Sequence, residues 1–221
     1  LLGERHVAAD QALDLAHGME DGGVVAAAEP PADFRQGAQR QRLGEIHRHL
    51  ARAHDVGGAA GGEQVGPADI KGRLFYSDDM KGFNFERKVE TFNAALDRLF
   101  AHMDDAAPPA IYAGAVSTTE CFPAFARENV IPLLDPSIVP RIWASNRVTA
   151  PTHYDMSDNI ACVVSGHRRF TFFPPDQLPN LYVGPLEFTP AGQPTSMVDL
   201  AAPDLERYPR FTEALAAAQT A

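Results

Sequence analysis

Residues 148–177 read VTAPTHYDMSDNIACVVSGHRRFTFFPPDQ, and the pattern within this stretch decides the fold. An apolar run at 159–164 is followed by Ser165-Gly166, and a second run with aromatic residues follows at 167–173. Two such runs, separated by a short loop that ends in glycine, indicate a β-hairpin. Pro174-Pro175 ends the second strand, because proline lacks the backbone donor that a sheet requires.

The sequence predicts further elements on both sides of this stretch. Residues 110–116 and 141–149 are expected to be strands, and an irregular segment rich in proline runs from 174 to 210. A final helix is expected at 209–221. Short strands with one long irregular insertion favour a mainly β fold with flanking helices, a jelly roll or double-stranded β-helix, over an α/β sheet.

A helix is predicted for residues 86–103. Its apolar side chains recur at steps of three and four residues, as on one face of a helix. They are Val89, Phe92, Leu96, Leu99, Phe100 and Met103. We interpret this stripe as part of the core, and we expect Asp104-Asp105 and Pro108-Pro109 to end the helix.

The composition changes near Ile70. Residues 1–70 contain one aromatic residue, Phe34, and residues 71–221 contain the other eighteen. Alanine and glycine bury little area, so ordering the first stretch would gain little against chain entropy. We expect residues 1–70 to be a disordered Ala/Gly/Arg-rich extension, or a segment not native to the domain, such as a GC-rich stretch translated in the wrong frame.

The net charge of −10, from 29 acidic and 19 basic residues, disfavours binding to nucleic acid or to an anionic membrane. The sequence shows neither a membrane-spanning run nor a signal peptide. Cys121 and Cys162 lie far apart in the sequence, and we expect them to be reduced thiols. These features predict a cytoplasmic protein.

The candidate for chemistry is His153-Tyr154-Asp155. Side chains alternate along a strand, so His153 and Asp155 point to one side and Tyr154 points to the other. Two histidines and one carboxylate are the ligands of non-haem Fe(II) oxygenases. The HxD pattern is weak when it stands alone, but its position on a predicted strand makes it compatible with this chemistry.

Other histidines fit a metal site less well. His102 and Asp104 form a second HxD, but at the end of a helix side chains two residues apart diverge by about 200°. His47 and His49 fail similarly if they are helical, and with His54 they lie in the doubtful first segment.

The surroundings of His153 resemble the cupin-like JmjC-type Fe(II)/2-oxoglutarate-dependent oxygenases, the family of the hypoxia-inducible factor asparaginyl hydroxylase. The similar stretches are Val148–Asp155, Asn159, Gly166–Gln177, Asn180–Pro185, Asp204–Phe211 and, more loosely, Gly72–Tyr76. The resemblance extends from about Lys71 to the C-terminus. It implies that residues 71–221 form a partial cupin-like domain.

The resemblance also implies roles for single residues. His153 and Asp155 match two iron ligands, and Asn159 matches an asparagine that lines the cofactor site. Arg168 occupies the position of a lysine that binds the distal carboxylate of 2-oxoglutarate, which a planar guanidinium also suits. The adjacent Arg169 is the alternative, and either arginine could simply be exposed.

Two further cofactor contacts remain open. Tyr112 matches a tyrosine that reaches the cofactor carboxylate, or it is a core residue. The family places a threonine three residues before the iron histidine, where this sequence has Ala150. Either Thr149 or Thr152 is expected to replace it.

The sequence has no match for the third iron ligand of this family. The family has a second histidine on a later strand, but no histidine follows His167, and the hairpin position of His167 matches no ligand. We therefore expect a domain that is incomplete at the C-terminus and inactive in this form.

We expect the intact protein to be a hydroxylase that acts on a protein side chain and forms a homodimer. The alternatives are a non-catalytic cupin-like binding domain and a cupin isomerase or sugar-binding protein.

Overall fold

The computed structural model describes residues 60–132, 134–155, 158–190 and 192–221, together with three short strands near the N-terminus. These strands are β1 (Ala12–Ala16), β2 (Gly18–Met19) and β3 (Val24–Ala27). The other residues before 60, which belong to the predicted extension at 1–70 and include His47, His49 and His54, lie outside the described residues.

The later strands are β4 (Ala60–Gly66), β5 (Glu86–Thr91), β6 (Ala110–Ser117), β7 (Arg141–Ser145), β8 (His153–Tyr154), β9 (Asp158–Asn159), β10 (Cys162–Ser165), β11 (Phe170–Phe173) and β12 (Gln219–Thr220). The α-helices are α1 (Phe92–Ala101), α2 (Thr118–Cys121), α3 (Pro123–Glu128) and α4 (Phe211–Ala217), and Ala68–Ile70 and Pro175–Asn180 are 3-10 helices. The chain is thus mainly β with flanking helices, as predicted.

The strands form two antiparallel sheets and a small additional pair. Sheet 1 has the order β10-β1-β7-β6-β4-β5, sheet 2 has the order β12-β11-β3-β8, and β2 pairs with β9. Strand β4 lies between β5 and β6, so the sheet already includes residues before the boundary expected near Ile70. Whether the residues before 60 are native to the domain stays a prediction.

One face of sheet 1 packs against helices. Ile111 and Ala113 of β6 and Ile142 and Ala144 of β7 belong to one buried cluster, which we call the helix-side core. The other members are Phe92, Ala95, Leu96, Leu99, Val116, Phe122 and Phe125. Because strand side chains alternate, the neighbouring residues Tyr112, Trp143 and Ser145 lie on the opposite face.

The predicted helix at 86–103 is wrong at its start. Residues Glu86–Thr91 form β5, which pairs with β4, and the helix begins at Phe92. The hydroxyl of Thr91 accepts a hydrogen bond from the backbone N–H of Ala94 and caps the helix. Phe92, Leu96 and Leu99 are buried as predicted, whereas Val89 on the edge strand is 81 % exposed and is not core.

Sheet 2 packs one face against the C-terminal part of the chain. Phe173 of β11 is buried with Leu181, Val198, Phe211 and Ala214, and Tyr154 of β8 packs against this group. We call it the C-terminal core. The C-terminal core covers the side of sheet 2 on which Tyr154 and Phe173 lie. Their neighbours along each strand point to the opposite side, because strand side chains alternate.

The predicted hairpin around Ser165-Gly166 is also wrong. Strands β10 and β11 lie in different sheets and do not pair, although each run is a strand as expected. Gly166 has a φ of +82°, which glycine adopts readily, and the link it starts carries the chain from sheet 1 to sheet 2. The reason is burial, because Cys162 and Val164 face the helix-side core and Phe173 faces the C-terminal core.

The irregular segment at 182–197, which we call the strap, connects the two sheets. One part pairs with β8, through a bridge between Thr195 and His153 and a hydrogen bond from Ser196 N–H to the Thr152 carbonyl. Its far end is held by Arg87, which donates to the carbonyls of Thr189 and Pro190. The strap thus ties the strand that carries His153 to the edge of sheet 1.

In the part of the chain described above, no helix has both the length and the apolar character needed to cross a membrane. Cys121 and Cys162 are thiols that form no disulfide within the described residues, and both residues are half-buried. Burial raises the pKa of the Cys121 thiol, which keeps it protonated at neutral pH.

Candidate metal centre

His153 lies on β8, and Asp155 follows the end of that strand. The ring of Tyr154 between them packs against the C-terminal core. Alternation therefore directs His153 and Asp155 to the other side of sheet 2, which that core leaves uncovered. Both residues are half-buried.

The His153 ring is oriented by its own backbone neighbourhood. Its Nδ1 lies 2.7 Å from the carbonyl oxygen of Pro151. A carbonyl oxygen can only accept, so Nδ1 carries the proton and donates it to this bond. The Nε2 atom then keeps its lone pair, which is the tautomer that a metal requires.

Asn159 orients the neighbouring carboxylate. Its side-chain Nδ2 donates to Asp155 Oδ2 at 2.8 Å. A donor at one oxygen limits rotation of the carboxylate, as outer-shell partners of metal ligands commonly do. The structure therefore brings Asn159 into contact with Asp155, the carboxylate of the candidate pair.

The donors that are present suit a metal ion in kind but not in number. Histidine nitrogen with carboxylate oxygen, each held by a hydrogen bond, suits Fe(II). Within the described ranges, however, no group of three or more His, Cys, Asp or Glu side chains is close enough to hold a metal. Neither His167 nor His102 joins the pair, so the described residues supply two of the three expected donors.

The alternative HxD at His102 is excluded as a metal pair by its surroundings. His102 is the residue that ends α1, and its Nδ1 lies 2.7 Å from Asp105 Oδ2. This local hydrogen bond at a helix end gives His102 a structural role. The two HxD patterns differ in the secondary structure that carries them.

Arg168 lies on the link between the two sheets, two residues before β11. Its guanidinium carbon is 5.9 Å from the centroid of the Phe170 ring. Phe170 and Phe173 lie on opposite faces of β11, and Phe173 faces the C-terminal core. The contact with Phe170 therefore places Arg168 on the other side of sheet 2, the side to which His153 is directed.

The two candidate threonines differ in burial. Thr149 is half-buried, and its backbone N–H donates to the Gly72 carbonyl. Thr152 is 3 % exposed, and its Oγ1 has no hydrogen-bond partner among the described residues, nor does the buried Oγ of Ser165 on β10. An unsatisfied buried hydroxyl is unfavourable by about 1–3 kcal/mol, so a water or ligand group is expected at each.

Tyr112 lies on β6, on the face of sheet 1 that the helices leave uncovered. Its ring packs against the buried residues Leu74, Phe85 and Ala110, in line with the packing alternative. Gly114 lies on the same face, where an added Cβ would be 2.9 Å from both the Tyr112 and Trp143 rings. The cofactor role of Tyr112 stays a prediction.

Several residues of these uncovered faces were not singled out from the sequence. They are Trp143, Ser165, Phe170 and Phe172. Alternation along the predicted strands would have placed Phe170 and Phe172 beside each other. The covered side could not be predicted, since it depends on the C-terminal core.

Comparison with known proteins identifies the family. A model described as "Cupin-like domain" matches residues 33–221, which is most of the chain. The chain therefore belongs to the cupin-like domain family, and the two-sheet, β-rich architecture agrees with it. The match begins earlier than the boundary expected near Ile70.

Curated relatives match shorter stretches. A lysine-specific demethylase, JMJ31 of Arabidopsis thaliana, is 36 % identical over 75 residues, which are 34 % of this chain and 13 % of that protein. The tRNA wybutosine-synthesizing protein 5 of Danio rerio is 32 % identical over 73 residues, 31 % of this chain and 20 % of the relative. The protein of that name in Mus musculus is 31 % identical over 98 residues, 42 % of this chain and 26 % of the relative.

The alignments therefore span between 13 % and 26 % of the length of these relatives. No solved structure matches the chain significantly. The similarity supports a domain of the JmjC type, related to Fe(II)/2-oxoglutarate oxygenases.

Proposed function

We propose that this chain carries iron- and 2-oxoglutarate-binding residues of an oxygenase that hydroxylates a protein side chain. The observation that carries the proposal is the HxD pair on β8, whose histidine is held with Nε2 available for a metal. Membership of the cupin-like family and the JmjC-type relatives support the same reaction class.

The residues have distinct roles in this proposal. His153 Nε2 and the Asp155 carboxylate hold the iron, and Asn159 fixes the carboxylate through its amide. Arg168 binds the distal carboxylate of 2-oxoglutarate as an ion pair, for which its planar fork is suited. When bound, the two cofactors would supply the oxidative decarboxylation that drives hydroxylation of a C–H bond.

Thr152 is the preferred threonine for a hydrogen bond to the cofactor. Its hydroxyl is buried without a protein partner, directly before His153 in the chain. The hydroxyl can donate to a carboxylate oxygen and would then be satisfied. Thr149 and Tyr112 remain candidates for further contacts with the same carboxylate.

A protein substrate is preferred to a nucleic acid. The names of the relatives refer to a lysine-specific demethylase and to a tRNA-modifying protein. The net charge of −10 disfavours a phosphate-rich partner. A cytoplasmic location and a homodimer of the intact protein are part of the same proposal.

We further propose that the 221-residue chain by itself is inactive. The described residues supply two iron donors, and two donors hold the ion more weakly than three. The same observation favours a second candidate function, that of a cupin-like domain that binds a ligand without catalysis.

Turnover separates the two candidates. The full-length protein, supplied with Fe(II) and oxygen, is expected to convert 2-oxoglutarate to succinate, and His153→Ala is expected to abolish this activity. His102→Ala is the matched control and is expected to retain it. Full activity of the His153 variant would overturn the proposed iron site, whereas ligand binding without succinate would support the non-catalytic candidate.

A further inference from the structure

Three side chains are stacked in a row at the start of β11. The guanidinium of Arg168 lies over the Phe170 ring, and that ring stacks on Phe172 with a centroid distance of 5.7 Å and an interplanar angle of 15°. Phe172 is 38 % exposed, although it is a large apolar residue in the middle of a sheet.

The stack lies on the same side of sheet 2 as His153. Tyr154 and Phe173 both face the C-terminal core, so His153 and Phe172 beside them face the other way. The register agrees, because Phe172 and His153 are both paired with Val25 of β3 and form one row across the sheet. Neighbouring strands are about 4.8 Å apart, which places Phe172 two strands from the metal ligand.

The ring contact restricts Arg168. An arginine side chain has many rotamers, and restricting them before a ligand arrives favours binding. A guanidinium over an aromatic face is attracted by the ring, and this contact uses the face of the guanidinium and not its N–H groups. The Phe170 ring can therefore help to hold the guanidinium in one orientation.

We propose that Phe170 is a positioning residue that holds Arg168 for the distal carboxylate of 2-oxoglutarate. The inference rests on the proposed function, because it takes Arg168 as the carboxylate partner. In this proposal Phe170 contacts Arg168 and does not contact the reacting atoms. Phe172 supports the stack from the other side of Phe170.

The test is a calorimetric titration of the full-length protein, with Mn(II) bound in place of Fe(II). Two ligands are compared, 2-oxoglutarate and 2-oxobutyrate, which keeps the 2-oxo acid but lacks the distal carboxylate. The variants are Phe170→Leu, Phe170→Tyr, Arg168→Met and the double variant with Leu and Met, with Arg169→Met as the control. The readout is the ratio of the two dissociation constants, which a general loss of stability would not change.

The wild type is expected to prefer 2-oxoglutarate, and Phe170→Leu is expected to reduce this preference about fivefold, as the loss of a partly exposed cation–π contact implies. Phe170→Tyr and the Arg169 control should keep the preference. In the Arg168→Met background, Phe170→Leu should have no further effect, because its action passes through Arg168.

An unchanged preference in Phe170→Leu, or the same loss in Phe170→Tyr, would overturn the positioning role and leave the proposed function intact. If Phe170→Leu reduced the preference for 2-oxoglutarate equally in the wild-type and Arg168→Met backgrounds, the positioning role would also be overturned. If the wild type binds neither acid, the proposed function fails, and this inference fails with it.

Discussion

Glu63 is a carboxylate inside the protein, 2 % exposed on strand β4. One arginine, Arg98 of α1, is hydrogen-bonded to it and also to Glu90 of β5. These bonds raise the pKa of Arg98, so its charge is retained at any pH in ordinary use. The ion pair fastens the helix to the sheet, and it replaces the water that Glu63 has lost.

Replacing Arg98 by methionine is expected to destabilise the domain by about 3–5 kcal/mol, since a buried carboxylate would lose its cation. Chemical denaturation measures this difference. Arg141→Met, which changes an exposed arginine, is the control and should have an effect below about 1 kcal/mol. An Arg98 variant as stable as the control would show that water already solvates Glu63.

Asn146 joins two strands through its side chain. Its Oδ1 accepts from the Ile111 N–H at 3.0 Å, and its Nδ2 donates to the Pro109 carbonyl at 2.7 Å. Asn146 is 4 % exposed, so these backbone groups have little access to water. The side chain takes the place of a further pair of strand residues where β7 ends.

Asn146→Ala is expected to lower the free energy of unfolding by about 1–3 kcal/mol, because buried backbone groups lose their partners. Asn129→Ala is the matched control, since the exposed Asn129 donates only to the Phe125 carbonyl at the end of α3. Thermal and urea unfolding of both variants give the comparison. A larger effect at Asn129 would contradict this account.

At the level of elements, the strap determines how the strand with His153 is held. Met197 N–H donates to the Tyr182 carbonyl and Gly184 N–H to the Thr195 carbonyl, which closes the strap on itself. Arg87 and Gln64 hold its far end by donating to the Pro190 carbonyl. An irregular, proline-rich segment thus has fixed contacts at both ends.

Arg87→Met is expected to loosen the far end of the strap without unfolding the sheets. Amide hydrogen exchange should become faster at Gly184 and Met197. In the wild type, the strap must break the Arg87 hydrogen bonds before it opens, and in the variant these bonds are absent, so opening requires less free energy. Lys88→Met, on the next residue of the same strand, should leave exchange unchanged. Unchanged protection in the Arg87 variant would show that the strap is held by its other contacts alone.

The elements also show what local sequence could and could not predict. The strands at β6 and β11 follow from short apolar runs, and the helix end follows from Asp104-Asp105. The pairing of β10 could not be predicted, since it depends on which core each face of the chain enters. The start of α1 had a local signal, the capping residue Thr91, which the helical spacing of Val89 concealed.

For the candidate site, too, the sequence predicted local features but not the contacts that depend on the fold. Alternation on a strand predicts that Tyr154 faces away from His153 and Asp155, and the structure shows Tyr154 packed against the C-terminal core. His153 lies on a strand and His102 at a helix end, which is the difference on which the choice between the two HxD patterns was based. The hydrogen bond from His153 to the Pro151 carbonyl depends on the backbone path, so the pattern of residues did not predict it. The stack on Arg168 likewise required the fold.

At the scale of the whole molecule, two sheets each have one covered face. Helix α1 covers sheet 1, and the C-terminal core covers sheet 2. The polar and ligand-type residues lie on the remaining faces, with Tyr112 and Ser165 on sheet 1 and His153 on sheet 2. This division keeps the candidate metal ligand His153 apart from the two apolar cores.

The central claim is that His153 and Asp155 bind a divalent metal. The most direct measurement is the equilibrium binding of Mn(II), a redox-stable substitute for Fe(II), followed by the electron paramagnetic resonance signal of the free ion. His153→Ala and Asp155→Ala are each expected to weaken binding about tenfold or more, while His102→Ala leaves it unchanged. Equal binding by the wild type and the His153 variant, or a loss in the His102 variant of the same size, would contradict the account.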